Sequence, residues 1–320
     1  MILSGLELLA IPIFIIGVLI LYKGSDILVD GTSKTAAKLG VSTLIISVLL
    51  VGFGTSAPEL AISVGAAIQN DSGISLGNVI GSCIANLFLI LGLSAIIRPI
   101  KINKGIIKRE MPIVLGVAFV LLLFSYASFL DNLHLFGGII FLILFIMFIL
   151  YFIQCANREK NKKKSIKTGK TGKSIIFIII GIIAVIIGAE LLIISSVTIA
   201  KLLSIPTFII ALSIVAVGTS LPELSVSVMA AYKGESDIAV GNVLGSNIFN
   251  ILLILGIAAI FIPLNAVASL DYIIILVAVT CVMFPILYTG HTISRKEGVL
   301  MLVFYGIFIW YTFFGYTYFI

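Results

Sequence analysis

Apolar runs of roughly 18 or more residues recur along the whole of this chain, and a run of that length can cross a bilayer as one helix. The composition agrees: among the 320 residues, 61% are hydrophobic and 11% are charged. An ordinary soluble domain carries about 25% charged residues. The runs are too long and too uniformly apolar for the alternating strands of a membrane barrel. The sequence therefore predicts an all-α polytopic membrane protein.

Ten apolar segments can be distinguished, and each is predicted to be a transmembrane helix. They are residues 6–29, 41–69, 75–97, 111–128, 135–154, 175–202, 207–232, 238–261, 270–288 and 298–318. The longest polar stretch, residues 157–173, separates two groups of five. We therefore expect a first five-helix unit over residues 1–154, a basic linker over 155–174 and a second five-helix unit over 175–320.

The two halves repeat each other at a shift of 164 residues, without a gap from Gly17 to Pro99. The shift superposes Gly54-Thr55-Ser56-Ala57-Pro58-Glu59 on Gly218-Thr219-Ser220-Leu221-Pro222-Glu223, and Gly77-Asn78-Val79 on Gly241-Asn242-Val243. Because each half has an odd number of spans, the second half enters the membrane from the opposite side. This predicts two inverted repeats related by an axis in the membrane plane, as in many secondary transporters.

Positive charges orient the predicted loops. If the first span begins outside, nearly all Lys and Arg fall in inside loops, and Lys201 is the clear exception. Cytoplasmic loops are ordinarily enriched in these residues. We therefore predict a protein of the cell membrane with both termini extracellular and the linker 155–174 cytoplasmic.

The repeated motif interrupts the second and seventh predicted spans with groups that are costly in hydrocarbon. Pro58 and Pro222 lack an N–H, so each frees a backbone carbonyl and opens its helix. Both spans are therefore predicted to be broken helices. Ionisable residues inside a membrane are functional by default. We expect Glu59 and Glu223 to meet near the midplane, across the axis that relates the halves.

A second polar set accompanies the motif and adds only oxygen and amide groups. Its members recur every four residues on one helix stripe in each half: Asn78, Ser82 and Asn86, then Asn242, Ser246 and Asn250. The absence of His and Cys from both sets argues against Zn, Cu and Fe. Ca²⁺ takes six to eight oxygen ligands, and Na⁺ accepts similar oxygens. The combined pattern predicts a site for these cations.

At this point the chain resembles a known family. GTSxPE occurs twice, each copy followed by GNVxGSxxxN, which is similar to the α-repeats of the cation/Ca²⁺ exchanger superfamily and most similar to prokaryotic Na⁺/Ca²⁺ exchangers. The resemblance implies ligands from side chains, or from backbone carbonyls at two positions, at Gly52, Thr55, Ser56, Glu59, Ser82, Asn86, Ala216, Thr219, Ser220, Glu223, Ser246 and Asn250. Some relatives carry Asp where this chain has Asn250, so dependence on K⁺ is not expected.

The function implied by the resemblance is secondary active antiport of Na⁺ and Ca²⁺ by alternating access, with both ions competing for the site around Glu59 and Glu223. A Ca²⁺/H⁺ antiporter is the alternative, because two buried carboxylates could also carry protons. No protease or nucleotide-binding motif lies in the spans, so an enzyme is not expected. The expected partners are Ca²⁺, Na⁺ and the lipid bilayer, with no cofactor, nucleic acid or obligatory protein partner.

Two smaller sets of matching positions stand outside the motifs. Gly17, Gly24, Gly181 and Gly188 are expected to be packing or bending points of the helices and not ligands. Asp26 and Glu190 match each other at the 164-residue shift. They are open to two interpretations, as gating groups at the mouth of the ion path or as residues near the membrane interface.

Overall fold

The computed structural model describes residues 9–103, 105–162, 172–202, 218–288 and 290–314, which are almost entirely helical. The helices are α1 (Ala10–Leu39), α2 (Thr43–Thr55), α3 (Ala57–Ile68), α4 (Ser72–Ile97), α5 (residues 106–126), α6 (His134–Lys162), α7 (Gly172–Leu202), α8 (Leu221–Lys233), α9 (Ser236–Phe261), α10 (Leu270–Tyr288) and α11 (Arg295–Phe314). Two short strands, β1 (Ile100–Lys101) and β2 (Thr292–Ile293), pair antiparallel. The all-α prediction is confirmed.

Six helices in the described part of the chain are long and apolar enough to cross a membrane, namely α1, α4, α6, α7, α9 and α10. The number becomes seven if α2 and α3 are taken as one bent span. Predicted span 111–128 overlaps α5, and predicted span 298–318 overlaps α11 up to residue 314 and then leaves the described residues. Predicted span 207–232 begins outside the described residues and ends in α8. The helices are therefore of membrane type, and the count of ten stays a prediction.

Helices α4 and α9 form the centre of the molecule. In their most apolar stretches 72% and 83% of the residues are buried, against 22%, 28% and 33% in α1, α6 and α7. The outer helices instead expose large apolar side chains, such as Ile11 on α1, Phe136 on α6 and Ile183 on α7. This distribution is typical of a helical membrane protein whose polar residues are gathered on its innermost helices.

The second predicted span is broken, as the motif predicts. Helices α2 and α3 meet at an angle of 48°, and Ser56 between them leaves helical geometry with φ −81° and ψ 9°. Pro58 stands in the first turn of α3, where its missing N–H costs nothing. Helix α8 begins the same way, with Ser220 before it and Pro222 in its first turn. Residues 207–217, which would complete the predicted seventh span, lie outside the described ranges.

Helices α1 and α7 pack against each other in antiparallel directions through glycine. A Cβ atom on Gly24 would lie 2.9 Å from the backbone nitrogen of Val185, and one on Gly188 would lie 2.6 Å from that of Leu21. Only glycine permits so close an approach of two backbones. The expectation that these glycines are packing points is confirmed, with Gly17 and Gly181 in the same interface.

The loops gather at two ends of the bundle. At one end, which we call the basic end, the segment after α4 lies against the turn between α8 and α9. There Arg98 donates to the Tyr232 carbonyl at 3.2 Å, and Asn103 donates to Asp237 at 2.6 Å. The predicted linker also begins at this end, and its residues 155–162 continue α6 as helix.

The opposite end is closed by contacts between the two halves of the chain. The Asp131 carboxylate accepts from the backbone N–H of Ala266 at 2.6 Å, and Asn265 donates to the Ser72 hydroxyl at 2.8 Å. Ser72 begins α4 and Arg98 follows its last residue, so the two ends are a full helix length apart.

Candidate cation site

The two motif copies place a glutamate in the first turn of a helix in each half. Glu59 lies in α3 and Glu223 in α8, and each is only 1% exposed. Their neighbours from the motif, Ser56 and Ser220, are 3% exposed. Negative charge at a helix N-terminus is favoured by the helix dipole, which partly offsets the cost of burying these carboxylates.

Serines of each half hold the glutamate of the other half. The Ser56 hydroxyl donates to Glu223 Oε1 at 3.0 Å, and the Ser220 hydroxyl donates to Glu59 Oε1 at 3.3 Å. The two bonds are equivalent under the 164-residue shift. The structure thus brings the two motif copies together into one polar cluster.

Helices α4 and α9 add hydroxyls to this cluster. Ser82 on α4 accepts from Ser220 at 3.4 Å. Ser246 on α9 lies 3.3 Å from the Gly52 carbonyl oxygen and 3.4 Å from Glu223 Oε1. A Cβ on Gly52 would lie 2.9 Å from the Ser246 backbone nitrogen, so glycine is needed there for α2 to approach α9.

Thr55 and Thr219 are the buried threonines of the two motifs. Thr55 Oγ1 donates to the Val51 carbonyl and to Asn242 Oδ1, both at 3.1 Å. Thr219 Oγ1 has no hydrogen-bond partner among the described residues, and Val215, which matches Val51, lies outside them. Ala216, the remaining predicted carbonyl ligand, lies outside the described residues.

Asn78 and Asn242 belong to the polar stripes of the sequence but not to the predicted ligands. Each amide nitrogen joins the two helices of a hairpin. Asn78 donates to Ser63 at 2.9 Å and to the Glu59 carbonyl at 3.4 Å, and Asn242 donates to Ser227 at 3.0 Å and to the Glu223 carbonyl at 3.2 Å. These contacts fix the backbone of both glutamates. The signal for this role was their recurrence one helical turn before Ser82 and Ser246.

Asn86 and Asn250 occupy π-helical turns, Ala85–Ile90 in α4 and Phe249–Ile254 in α9, which correspond at the 164-residue shift. Both residues are fully buried. Such turns inside α-helices occur frequently at functional sites. The sequence pattern did not predict them.

Buried polar atoms without a partner concentrate among the predicted ligands. Among the described residues they include Glu59 Oε2, Glu223 Oε2, Asn86 Oδ1, Thr219 Oγ1 and both amide atoms of Asn250. An unsatisfied buried polar group costs roughly 1–3 kcal/mol, and more when charged. All but one of these atoms are oxygens, which is the donor set that a hard cation requires.

The donors of the cluster come from several kinds of side chain. Within the described ranges, no group of three or more His, Cys, Asp or Glu side chains is arranged to bind a metal. Glu59 and Glu223 are accompanied by hydroxyls and amides. Oxygen donors of this kind are the ones that hard cations take.

A cavity of about 420 Å³ lies beside the motif residues. Its walls include Pro58 from α3, Glu190 from α7 and Gly218 from the second motif. The cavity therefore adjoins the turns that carry the glutamates.

Asp26 and Glu190 have different surroundings although they match in sequence. Asp26 Oδ1 lies 2.6 Å from Lys233 Nζ, which also contacts Asp30 at 2.6 Å, so α1 and α8 are joined by ion pairs at the basic end. Glu190 is exposed and faces the cavity. The position that matches Lys233 is Gln69 in the first half, so no lysine stands where the equivalent partner of Glu190 would be.

Buried polar residues at a broken helix of an all-helical membrane protein are typical of secondary transporters. The chain matches the model of the sodium/calcium exchanger protein family over residues 9–154 and 173–314. It belongs to this family, and it is therefore a multi-pass membrane exchanger and not an enzyme. The identification of the superfamily from its two motifs is confirmed.

Relatives resemble the chain over nearly its whole length. Sodium/calcium exchanger MaX1 from Methanosarcina acetivorans is 38% identical, covering 93% of this chain and 96% of that protein. The putative antiporter CaxA from Alkalimonas amylolytica is 32% identical, covering 92% and 96%. A solved structure of the sodium-calcium exchanger NCX_Mj, soaked with 10 mM Na⁺ and zero Ca²⁺, is 33% identical with a TM-score of 0.81, covering 94% of this chain and 98% of that chain.

Proposed function

We propose that this protein exchanges Na⁺ for Ca²⁺ across the cell membrane, and that the two ions compete for one buried site around Glu59 and Glu223. The observation that carries the proposal is the reciprocal bonding of Ser56 to Glu223 and of Ser220 to Glu59, which leaves Oε2 of each glutamate without a partner in the described structure. Family membership and the resemblance to exchangers from other organisms support it.

Charge balance explains why the site would exchange ions. Two ionised glutamates carry two negative charges, which one Ca²⁺ neutralises. Uncompensated charges in a protein interior are strongly destabilising, so an empty site is costly to enclose while a loaded one is not. A bound cation of either type therefore allows the loaded site to open to the other side of the membrane. There the site can exchange that cation for one of the other type.

The proposed ligands are the residues expected from the motifs. They are the carbonyls of Gly52 and Ala216 and the side chains of Thr55, Ser56, Glu59, Ser82, Asn86, Thr219, Ser220, Glu223, Ser246 and Asn250. The partnerless oxygens of Glu59, Asn86, Thr219, Glu223 and Asn250 support this assignment. The hydroxyls favour Na⁺ over H⁺ as the counter-ion, because a proton needs no such ligands.

We further propose that the chain has ten spans in two inverted repeats, over residues 1–154 and 175–320. The antiparallel packing of α1 on α7 supports this, because an axis in the membrane plane relates equivalent helices in opposite directions. The equivalent serine–glutamate and asparagine–serine bonds of the two halves support it as well. The basic end, where the linker begins, would face the cytoplasm.

Alternating access would come from movement of α1 and α7 relative to the other helices. Their glycine interface keeps them together as one unit. The contacts of Lys233 with Asp26 and Asp30 join α1 to α8 at the basic end. The cavity that adjoins the motifs is lined by Glu190 and does not include these three residues. This arrangement fits a conformation closed towards the cytoplasm.

The test is the counter-ion dependence of Ca²⁺ flux in vesicles containing the purified full-length protein. An imposed Na⁺ gradient at equal pH on both sides should drive ⁴⁵Ca²⁺ uptake, and a pH gradient without Na⁺ should not. Uptake driven equally well by the pH gradient alone would overturn the proposal and establish a Ca²⁺/H⁺ antiporter. Uptake that needs neither gradient would indicate a passive pathway.

A further inference from the structure

Asn247 lies in the buried core between α4 and α9, next to the proposed site, and is 1% exposed. Its side-chain amide makes two bonds to α4. The nitrogen donates to the Cys83 carbonyl at 3.1 Å, and the oxygen accepts from Asn86 Nδ2 at 2.9 Å. We infer that Asn247 is a positioning residue that fixes the Asn86 amide with its oxygen towards the transported cation. This inference rests on the proposed function.

The chemistry of the contacts determines which way both amides face. The Cys83 backbone carbonyl can only accept, so the Asn247 atom next to it must be nitrogen. The other Asn247 atom is then oxygen and requires a donor, which only the nitrogen of Asn86 can supply. Asn86 Oδ1 is therefore the atom left over, and it is buried without a partner among the described residues. An oxygen held in this way is prepared to bind a cation.

The second half of the cation site lacks an equivalent orienting asparagine. At the 164-residue shift Asn86 corresponds to Asn250, and Asn247 corresponds to Cys83. Asn250 faces the Cys83 thiol, which is a weak hydrogen-bonding group. Apart from this weak contact, neither amide atom of Asn250 has a hydrogen-bond partner in the described structure. The cation site is thus built asymmetrically: Asn86 is oriented before an ion arrives, and the ion itself orients Asn250.

The asymmetry suggests a pair of substitutions in which each half receives the residue of the other. Asn247→Cys removes the orienting amide and keeps a side chain of similar size. We expect the KM for Ca²⁺ in Na⁺-driven uptake to rise about fivefold, the size of one lost buried hydrogen bond, with the maximal rate within about twofold of wild type. Cys83→Asn offers Asn250 an orienting amide and should lower the KM for Ca²⁺ by a similar factor.

Exchanging the two residues separates positioning from packing. The double variant Asn247→Cys with Cys83→Asn keeps both side-chain types in the core and places the orienting amide beside Asn250, so its KM should be closer to wild type than that of Asn247→Leu, which has a similar size and no polar atom. A purely structural role would lower the thermal midpoint in all variants and leave no difference in KM between the double variant and Asn247→Leu. Equal KM values for wild type, Asn247→Cys and Asn247→Leu would overturn the inference.

The measurements also distinguish failure of the inference from failure of the proposed function. If wild type takes up Ca²⁺ against Na⁺ and the Asn247 variants match it, the inference alone is wrong. If wild type does not respond to Na⁺, the proposed function is wrong, and equilibrium titration of purified protein with Ca²⁺ tests the orientation of Asn86 directly. Should Asn247→Cys fail to fold, Cys83→Asn still decides, because an unchanged Ca²⁺ affinity in that variant would count against the inference.

Discussion

Glu59 and Glu223 carry the charge of the proposed site, and each has one oxygen held by a serine and one without a hydrogen-bond partner in the described structure. Replacement by Gln keeps the shape of the side chain and removes the charge. We expect Glu59→Gln and Glu223→Gln each to weaken Ca²⁺ binding about 100-fold or more, since removing one partner from a buried ionic group costs roughly 3–5 kcal/mol. Ca²⁺ uptake into vesicles should fall to background.

Glu297→Gln is the matched control for both variants. Glu297 accepts from the Ser294 hydroxyl at 2.7 Å at the start of α11, which a glutamine oxygen can also do. Its uptake should remain at the wild-type level. Uptake by either Glu59→Gln or Glu223→Gln at that same level would contradict the assignment of the two glutamates.

At the scale of residues, the sequence predicts the site residues that occur in both halves of the chain. Ser56, Glu59, Ser220 and Glu223 recur at one shift, and the structure brings all four into contact. The repeat does not mark Asn247, because the residue at the matching position is Cys83. A residue that acts in one half alone has no repeat to mark it, so its role emerges only from its contacts.

At the scale of helices, the glycine interface between α1 and α7 gives a direct prediction. A Cβ on Gly188 would meet the Leu21 backbone at 2.6 Å, whereas one on Gly116 in α5 would have nothing within 4 Å. Gly188→Ala should therefore lower the stability by about 1–3 kcal/mol, the usual cost of overpacking. Gly116→Ala should leave it unchanged or raise it by about 0.5–1 kcal/mol.

Thermal unfolding of the purified protein in detergent measures the difference between these two variants. The account requires Gly188→Ala to unfold several degrees below Gly116→Ala. Equal midpoints would mean that α1 and α7 can separate without cost and do not behave as one packed unit.

The ion pairs between α1 and α8 give a second prediction for helices. Lys233→Gln copies the residue at the matching position, Gln69, and removes the contacts with Asp26 and Asp30. Partly exposed ion pairs contribute about 0.2–1 kcal/mol each, so the loss of both should make opening at the basic end about two- to thirtyfold more frequent. Hydrogen exchange in residues 26–39 of α1 should accelerate accordingly.

Lys34→Gln is the control for that experiment. Lys34 pairs with Asp30 at 3.4 Å within α1, so its loss removes a charge at the same end without disconnecting two helices. Exchange that accelerates equally in both variants would show that the charge, and not the link between α1 and α8, is responsible.

The helices themselves were largely readable from the sequence, with exceptions that have physical causes. Pro58 predicted the break between α2 and α3, which meet at 48° in the structure. The predicted end of the first span at residue 29 was too early, because α1 continues to Leu39. Apolar runs report the part of a helix that hydrocarbon would surround, whereas hydrogen bonding and Gly40, with φ +71°, decide where the helix ends.

At the scale of the whole molecule, the charge pattern and the contacts agree about sidedness. Loops predicted to be cytoplasmic contact one another at the basic end, as Asn103 does with Asp237. The ten spans, the inverted repeat and the orientation stay predictions. The sequence does not predict towards which side of the membrane the site is closed. Opening and closing of the site depend on contacts between helices that are far apart in the chain, such as those of Lys233 with α1.

The central claim is that Na⁺ and Ca²⁺ compete for one site built from both halves of the molecule. The most direct test of this claim is a calorimetric titration of purified wild-type protein with Ca²⁺ at a series of Na⁺ concentrations. We predict that the apparent Ca²⁺ affinity falls continuously as Na⁺ rises, that the number of Ca²⁺ bound at saturation stays constant, and that Glu59→Gln and Glu223→Gln bind no Ca²⁺ in the same range. A Ca²⁺ affinity that Na⁺ leaves unchanged would contradict the claim.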